Sequence, residues 1–367
     1  MMRDPLETIV VTLGGQTFSG WSEIEIDYSV EQAARTASLK ISDYGGAFPV
    51  EHGQPCTVSA SGDLVVTGYV RDIMPSHDES GHHVMISVVS RTVDLVEASI
   101  DHPTGFVRKK TLDDVAREFD TAGVGIEFDQ AFPVEPASFV NTGRSWFYHM
   151  EPLARAHSAF IYDDENGKAQ VAVKPRGRHS GALTIGNGGN IIAASAKISE
   201  HGRHDEVIVR GQSSRGADEA ALRPEGRAKD ASVKRRRPRI VVLESEMTGQ
   251  KLKERAEREI RRAAGFSCEA TITVSGWRDE GGSVFRPHWL IAVNDPRIYI
   301  NQDMAIKAVK LTQSIEANGR GTRAVLTLCD PRALGGEASA KSSAGDGDAS
   351  AEAWSTPEPT GIVGIDY

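Results

Sequence analysis

Residues 234–296 read KRRRPRIVVLESEMTGQKLKERAEREIRRAAGFSCEATITVSGWRDEGGSVFRPHWLIAVNDP. A basic run, Lys234, Arg235, Arg236, Arg237 and Arg239, leads into an apolar run at 240–243 that fits a strand. A long charged helix follows, then a strand ending at Ser275-Gly276-Trp277, a glycine turn, and a second strand through Trp289 and Val293. The helix carries a narrow apolar stripe, Leu252, Ala256, Ile260 and Ala263/Ala264, at helical spacing. Its charges mix in sign; Glu254 with Arg258 and Glu257 with Arg261 stand four apart, pairs worth only about 0.2–0.5 kcal/mol each. The stretch is strongly patterned and holds no reacting group.

Working outward, the triplet Ser-Gly-Trp occurs once more, at 19–21. Residues 71–91 and 310–330 share a layout of strand, polar glycine-bearing tip and alternating apolar strand, with no change in length. These echoes predict an internal duplication, with one β unit near each end of the chain. In the first unit, Ile24, Ile26 and Tyr28 alternate with Glu23, Glu25 and Asp27, the period-two mark of a half-buried strand. Gly14-Gly15 and Ser61-Gly62-Asp63 read as hairpin turns, and 43–55 as loop.

The sequence between is different in kind. Thr111, with Asp114 three residues on, predicts a capped helix through Leu112, Val115, Ala116 and Phe119, closed by Gly123. Residues 145–160 have helical spacing interrupted by Pro152, which either kinks the helix or sits at its first turn. A hairpin around 164–167 completes a small α/β insertion. GNGGN at 186–190 is a turn. Residues 211–233 lose periodicity and predict a mobile loop, and 335–367 a disordered or extended tail.

The chain has 367 residues, 39% of them hydrophobic, 25% charged and 36 of them Gly, which suits a β-rich globular protein with many turns. Its net charge of −9 argues against a nucleic-acid binder held by backbone charge. Cys56, Cys268 and Cys329 lie far apart and predict buried thiols in a reducing compartment. No signal peptide is legible, and no apolar run reaches the ~18 residues of a membrane helix, so no membrane insertion is expected.

Two histidine groups are candidate metal ligands by residue type: His77, His82 and His83 at one hairpin tip, and His201 with His204. Neither has the spacing of a standard site, and a solvated turn accounts for both. No nucleophile elbow, zincin helix or Walker loop is present. No cofactor is expected, and nothing points to an enzyme.

Several ordered motifs resemble the baseplate hub protein of Mu-like contractile-tailed phages, in the late control protein D / tail hub superfamily. They are the Arg235–Arg239 run into a strand, Val274 to Trp277, the Gly281/Gly282 turn, Arg286-Pro287, Val293 to Pro296 and Leu328 to Pro331. Phe18 to Trp21, Thr67 to Tyr69, Ser90-Arg91 and Asp94-Leu95 follow the same order near the N-terminus. The resemblance covers roughly residues 6–334. It implies a β-rich α+β fold: two tube-like β-barrel domains with inserted small α/β domains, forming a ring-shaped homotrimer.

The expected units are 1–95, a first tube-like β domain; 96–182, an α/β insertion; and 183–244, a connecting β segment with a loop at 211–233. Residues 245–334 would be the helix plus a second tube-like β domain, and 335–367 the tail. Trp21, Trp277 and Trp289 are expected as packing anchors. The implied partners are the tail tube protein, the central spike protein and baseplate wedge proteins, with DNA only as passing cargo. The implied place is the virion tail baseplate, assembled in the host cytoplasm. Two other classes remain open: a tail-associated cell-wall glycan hydrolase, and a nucleic-acid-binding protein using 234–239.

Overall fold

The acid–apolar alternation at Glu23 to Tyr28 becomes a strand whose acids face outward and whose Ile24, Ile26 and Tyr28 are buried. Six more strands complete the first β unit of this computed structural model. In order they are β1 (Ile9–Leu13), β2 (Gln16–Phe18), β3 (Glu23–Ser29), β4 (Thr36–Ser42), β5 (Pro55–Ala60), β6 (Asp63–Asp78) and β7 (Gly81–Ser90). Residues 6–42, 49–79, 81–212, 224–246, 249–315, 319 and 321–338 are described. Parts of three expected segments, the 43–55 loop, the 211–233 loop and the tail from 339, lie outside them.

The insertion follows: α1 (Val93–Glu97), β8 (Phe106–Thr111), α2 (Leu112–Glu118), β9 (Ile126–Phe128), β10 (Val134–Phe139), α3 (Trp146–Ala156), β11 (Phe160–Asp163) and β12 (Ala169–Ala172). Thr111 caps α2 as expected, its Oγ1 accepting from the Asp114 N–H at 3.2 Å. Ser145 caps α3, which runs through Pro152 without restarting there. The insertion has its own core, built on Leu112, Phe119, Trp146 and Met150.

The second β unit comprises β13 (Gly177–Thr184), β14 (Ile191–Ile198), β18 (Cys268–Ser275), β19 (Trp289–Asp295), β20 (Ile300–Ser314) and β21 (Gly321–Cys329). Between β14 and β18 lie β15 (Glu206–Gln212), β16 (Glu225–Lys229), β17 (Arg239–Glu246) and α4 (Gly249–Gly265). Strand β16 falls inside the expected 211–233 loop, so that segment is not loop throughout. It pairs antiparallel with β15, which also pairs parallel with β17. The stripe of α4 packs on this small sheet, Leu252 and Ala256 against Val207 and Val209. The helix therefore lies on its own sheet rather than across the second β unit. Its i, i+4 ion pair is Arg255–Glu259 at 2.7 Å, not the two pairs that spacing alone suggests.

The two β units form one sheet, in the order β14-β18-β21-β20-β3-β4-β7-β6-β5-β1-β2, with β19 beside β20 and β13 beside β19. No barrel closes within the described strands of the single chain. The duplication is visible in that order: β3-β4-β7-β6-β5 repeats as β14-β18-β21-β20-β19. Each long strand carries one extra residue opposite its hairpin partner, Arg71 in β6 and Lys307 in β20. Those bulges correct the register inferred from sequence. Arg71 and Lys307 are 236 positions apart, whereas their neighbours on β7 and β21, Ser87 and Thr327, are 240 apart. The second hairpin is thus four residues longer, and the equal-length match of 71–91 with 310–330 is out of phase.

The Ser-Gly-Trp echo is also not part of the repeat. The first triplet leads into β3, the counterpart of β14; the second follows β18, the counterpart of β4. What the triplets share is local: Gly20 and Gly276 both have positive φ, at 84° and 81°. Trp21 and Trp277 are buried in the core that both units share, and the Trp277 indole N–H donates to the Thr312 carbonyl at 3.0 Å. Trp289 is only half-buried, flat against Gly177 on β13.

A buried ion pair fastens the insertion to the first unit. Arg35 Nε and the Arg35 backbone N–H both donate to Asp163 Oδ2 at 3.0 Å, and a second guanidinium nitrogen donates to the Asp163 carbonyl at 2.9 Å. Replacing Asp163 with Asn removes the charge and leaves a buried guanidinium unneutralised. We expect Asp163→Asn to lose about 3–5 kcal/mol in urea unfolding; a loss under 1 kcal/mol would mean that water reaches Arg35.

Candidate assembly surface

Sheet pairing leaves specific edges open. Strand β14 pairs with β18 on one side and with no described strand on the other. It reads IIAASAKI, with a single charge, and Ile192 and Ile198 are exposed, Ile198 at 60%. Strand β6 is covered by β5 only through Tyr69; from Arg71 its outer edge is open, and Met74 is exposed there. Natural edges are usually blunted by charge, proline or shortness. Strand β2, with three residues, is short, and β6 carries Pro75. Strand β14 is eight residues long and has no proline; Lys197 is its one charge.

The candidate metal ligands do not converge. His77 faces His82 across the β6–β7 hairpin and His83 sits opposite Ser76, so His83 is on the other face of the ribbon. His201 is exposed, while His204 Nδ1 bonds the Arg237 carbonyl at 3.1 Å. Among the described residues no group of three or more His, Cys, Asp or Glu could hold a metal ion.

The basic run is largely neutralised by the chain's own acids. Arg235 pairs with Glu200 at 2.7 Å, Arg236 with Glu206 at 3.0 Å and with Asp205 at 3.3 Å, and Arg239 with Glu259 at 3.9 Å. Arg236 holds the Glu206 carboxyl below its usual range. These pairs, more than the run itself, explain why 234–239 can stand as ordinary protein surface.

Two histidines outside any motif are buried. His179 Nδ1 bonds Asp279 at 2.8 Å, and its Nε2 accepts from the Arg286 N–H at 3.0 Å. His288 has Nε2 3.0 Å from the Leu334 carbonyl and Nδ1 3.3 Å from the Tyr162 hydroxyl. Both are satisfied structural ties, bonded to backbone groups, one carboxylate and one phenol. Each is a lone histidine, His179 in the polar strand β13 and His288 in the turn before β19, and nothing local in the sequence marks either one. No helix among the described residues is long and apolar enough to cross a membrane.

Comparison with known proteins gives two family matches. Residues 8–90 match the N-terminal domain of the GpP-like Mu phage baseplate assembly proteins, and 248–337 match the fourth domain of Mu phage baseplate assembly protein GpP. The baseplate hub protein gp44 of Escherichia phage Mu is 22% identical over 304 residues, 78% of this chain and 79% of that protein. The 43 kDa tail protein of prophage MuSo2 from Shewanella oneidensis superposes with a TM-score of 0.76 at 27% identity, covering 89% of this chain and 99% of that one. A tail protein from Neisseria meningitidis MC58 gives 0.73 at 17% identity, covering 91% and 100%. The chain is therefore related to the Mu-like baseplate hub proteins and is a structural component of a phage tail baseplate.

The His288 tie makes the fold acid-sensitive. Burial pushes the imidazole down to about 4, so it is neutral in the folded chain near neutrality. An unfolded histidine titrates near 6.5. The unfolded chain therefore binds the extra proton first, and stability is lost as pH falls from about 6.5 towards 4, by about 3 kcal/mol for this group. His288 also has φ of 60°, which Asn tolerates. We expect His288→Asn to be less stable than the parent at pH 7 and to show a flatter decline between pH 6.5 and 4 in thermal unfolding. Equal slopes would place the acid sensitivity elsewhere.

Proposed function

From the relationship to Mu-like baseplate hub proteins, we propose that this chain is the hub of a contractile phage or prophage tail baseplate. Three copies form a ring that joins the sixfold tail tube to the threefold central spike, with wedge proteins outside and DNA passing through the lumen. The role is structural, not enzymatic. The observation that carries this reading is the repeated strand order within one continuous sheet. A chain with two equivalent β units gives a homotrimer six such units, which present sixfold spacing on one face while three insertions mark threefold spacing on the other.

Charge on the sheet's solvent face fits a lumen that does not grip DNA. Glu23, Glu25 and Asp27 lie there, paired with Lys40 and Lys310. The acids offset the cations that would otherwise collect phosphates.

The test is the mass and shape of the purified full chain. Light scattering should give three times 39.6 kDa, and negative-stain images should show rings with threefold outlines and an open centre. A monomer persisting at tens of micromolar, or a six-copy ring, would overturn the reading.

A further inference from the structure

A cleft of about 570 Å³ lies where the insertion meets α4, between the end of α3, β11 and the last described residues of the chain. Its floor is apolar: Ile161 is buried, and Phe147, Phe160 and Val173 are half-buried. Its walls carry seven cations against four acids. Three of the acids are engaged, Glu31 with Lys307 at 3.1 Å, Glu259 with Arg255 at 2.7 Å and Glu151 with Arg155, and Glu337 is exposed. Lys174, Arg258, Arg261 and Arg262 form no ion pair among the described residues. The Nε atoms of Arg255 and Arg258 are buried with no acceptor among those residues. Burial and the neighbouring Arg255 hold the Arg258 guanidinium below its ordinary range. Arg262 lies over the Phe160 and Phe266 rings, at 5.9 and 5.5 Å. Buried donors in proteins are nearly always paired, so the chemistry of this cleft calls for an anion with an apolar body.

We infer that the cleft takes the chain's own segment 346–367, with the Trp354 ring on the apolar floor and Glu352 and Glu358 against Lys174, Arg258 and Arg261. The inference goes beyond the ring proposed above and does not depend on it. Docking of this kind ties the insertion to α4, which no ion pair between α3 and α4 does among the described residues.

Three observations point to that segment. The first is where the chain leaves. Ala333, Gly335, Gly336 and Glu337 line the cleft, and a Cβ on Gly335 would stand 1.7 Å from the Val173 carbonyl, so the backbone is held against the cleft wall. Fifteen residues separate Glu337 from Glu352, which at about 3.3 Å each span a cleft of this size with length to spare. The second is charge. From Asp346 on, the sequence has five acids, Asp346, Asp348, Glu352, Glu358 and Asp366, and no Lys, Arg or His. The third is Trp354, an aromatic between two acids facing an apolar floor rimmed by arginines, whose guanidinium groups favour indole faces. The short tether gives the segment an effective concentration of about millimolar, so docking holds even where a free peptide binds weakly. A nucleic-acid strand would also bring anions, but it must displace a tethered competitor and approach a chain of net charge −9.

The test uses the full chain. A carbodiimide joins a carboxylate to a lysine amine without a spacer, and Lys174 is exposed. Peptide mapping of the monomer band of a denaturing gel should find Lys174 joined to Glu352 or Glu358. Acrylamide quenching, read as the difference between the parent and Trp354→Phe, should show Trp354 shielded. The variant Glu352→Lys/Glu358→Lys should weaken docking about tenfold or more and expose Trp354, and ~1 M salt should expose it in the parent. Those two changes lie outside the cleft walls, so a folding defect does not confound them. Adding Arg258→Glu/Arg261→Glu to that variant should restore the shielding, which a change in segment composition alone would not do. Trp354 as open to acrylamide in the folded parent as in the unfolded chain, or Lys174 products found only in a two-chain band, overturns the inference. So does a single-stranded oligonucleotide that binds the parent at physiological salt and protects Lys174 from modification; the cleft is then a nucleic-acid site. None of these outcomes bears on whether three copies form a ring, which light scattering reads separately.

Discussion

The pairing of β20 with β3 is the constraint on which the rest of the molecule depends. It joins residues 279 to 291 positions apart through seven consecutive pairs. On its inner face Ile26, Tyr28, Val309 and Leu311 are buried side by side, each contributing about 1.5–3 kcal/mol by area. The Tyr28 hydroxyl donates to the Phe285 carbonyl at 2.7 Å, which ties the first unit to the turn of the second. Gln313, at the far end of the seam, accepts from the Glu7 N–H and donates to the Glu7 carbonyl, both at 2.9 Å. Glu7 in turn receives Arg278, which also reaches the Ala60 carbonyl at 2.8 Å. Without the seam, the chain would hold two sheets, each with an apolar face half-uncovered.

Local features of this fold were legible because local physics makes them. Alternation gave β3, β7 and β21. Gly14-Gly15 gave the first hairpin, whose glycines adopt φ of 55° and 84°, and Thr111 gave the start of α2. The resemblance in motif order gave the hub family. What failed was register. A bulge at Arg71 or Lys307 leaves no trace in composition, yet one extra residue swaps the faces of everything beyond it. The hairpin match, made without bulges, was out of phase, and Ser-Gly-Trp supplied a false anchor because two tight turns chose the same residues for the same backbone reason.

Strand β16 was missed for a different cause. Its residues, Glu225 to Lys229, alternate charged side chains only with Gly226 and Ala228, too small to read as an apolar face, and the strand is an edge held by β15 and covered by α4. Tertiary context made it a strand. The buried histidines were missed likewise: a lone His179 or His288 takes its meaning from Asp279 or Leu334, more than forty residues away. The open edges could not be seen from sequence at all, because an edge is a statement about which partner is absent.

The seam between β20 and β3 is secured on both faces. Lys310 bridges Glu25 and Asp27 on the outer face, so a slip of two residues breaks the ion pairs, and a slip of one turns Glu23, Glu25 and Asp27 into the core. Such a seam forms once, during folding, and stays.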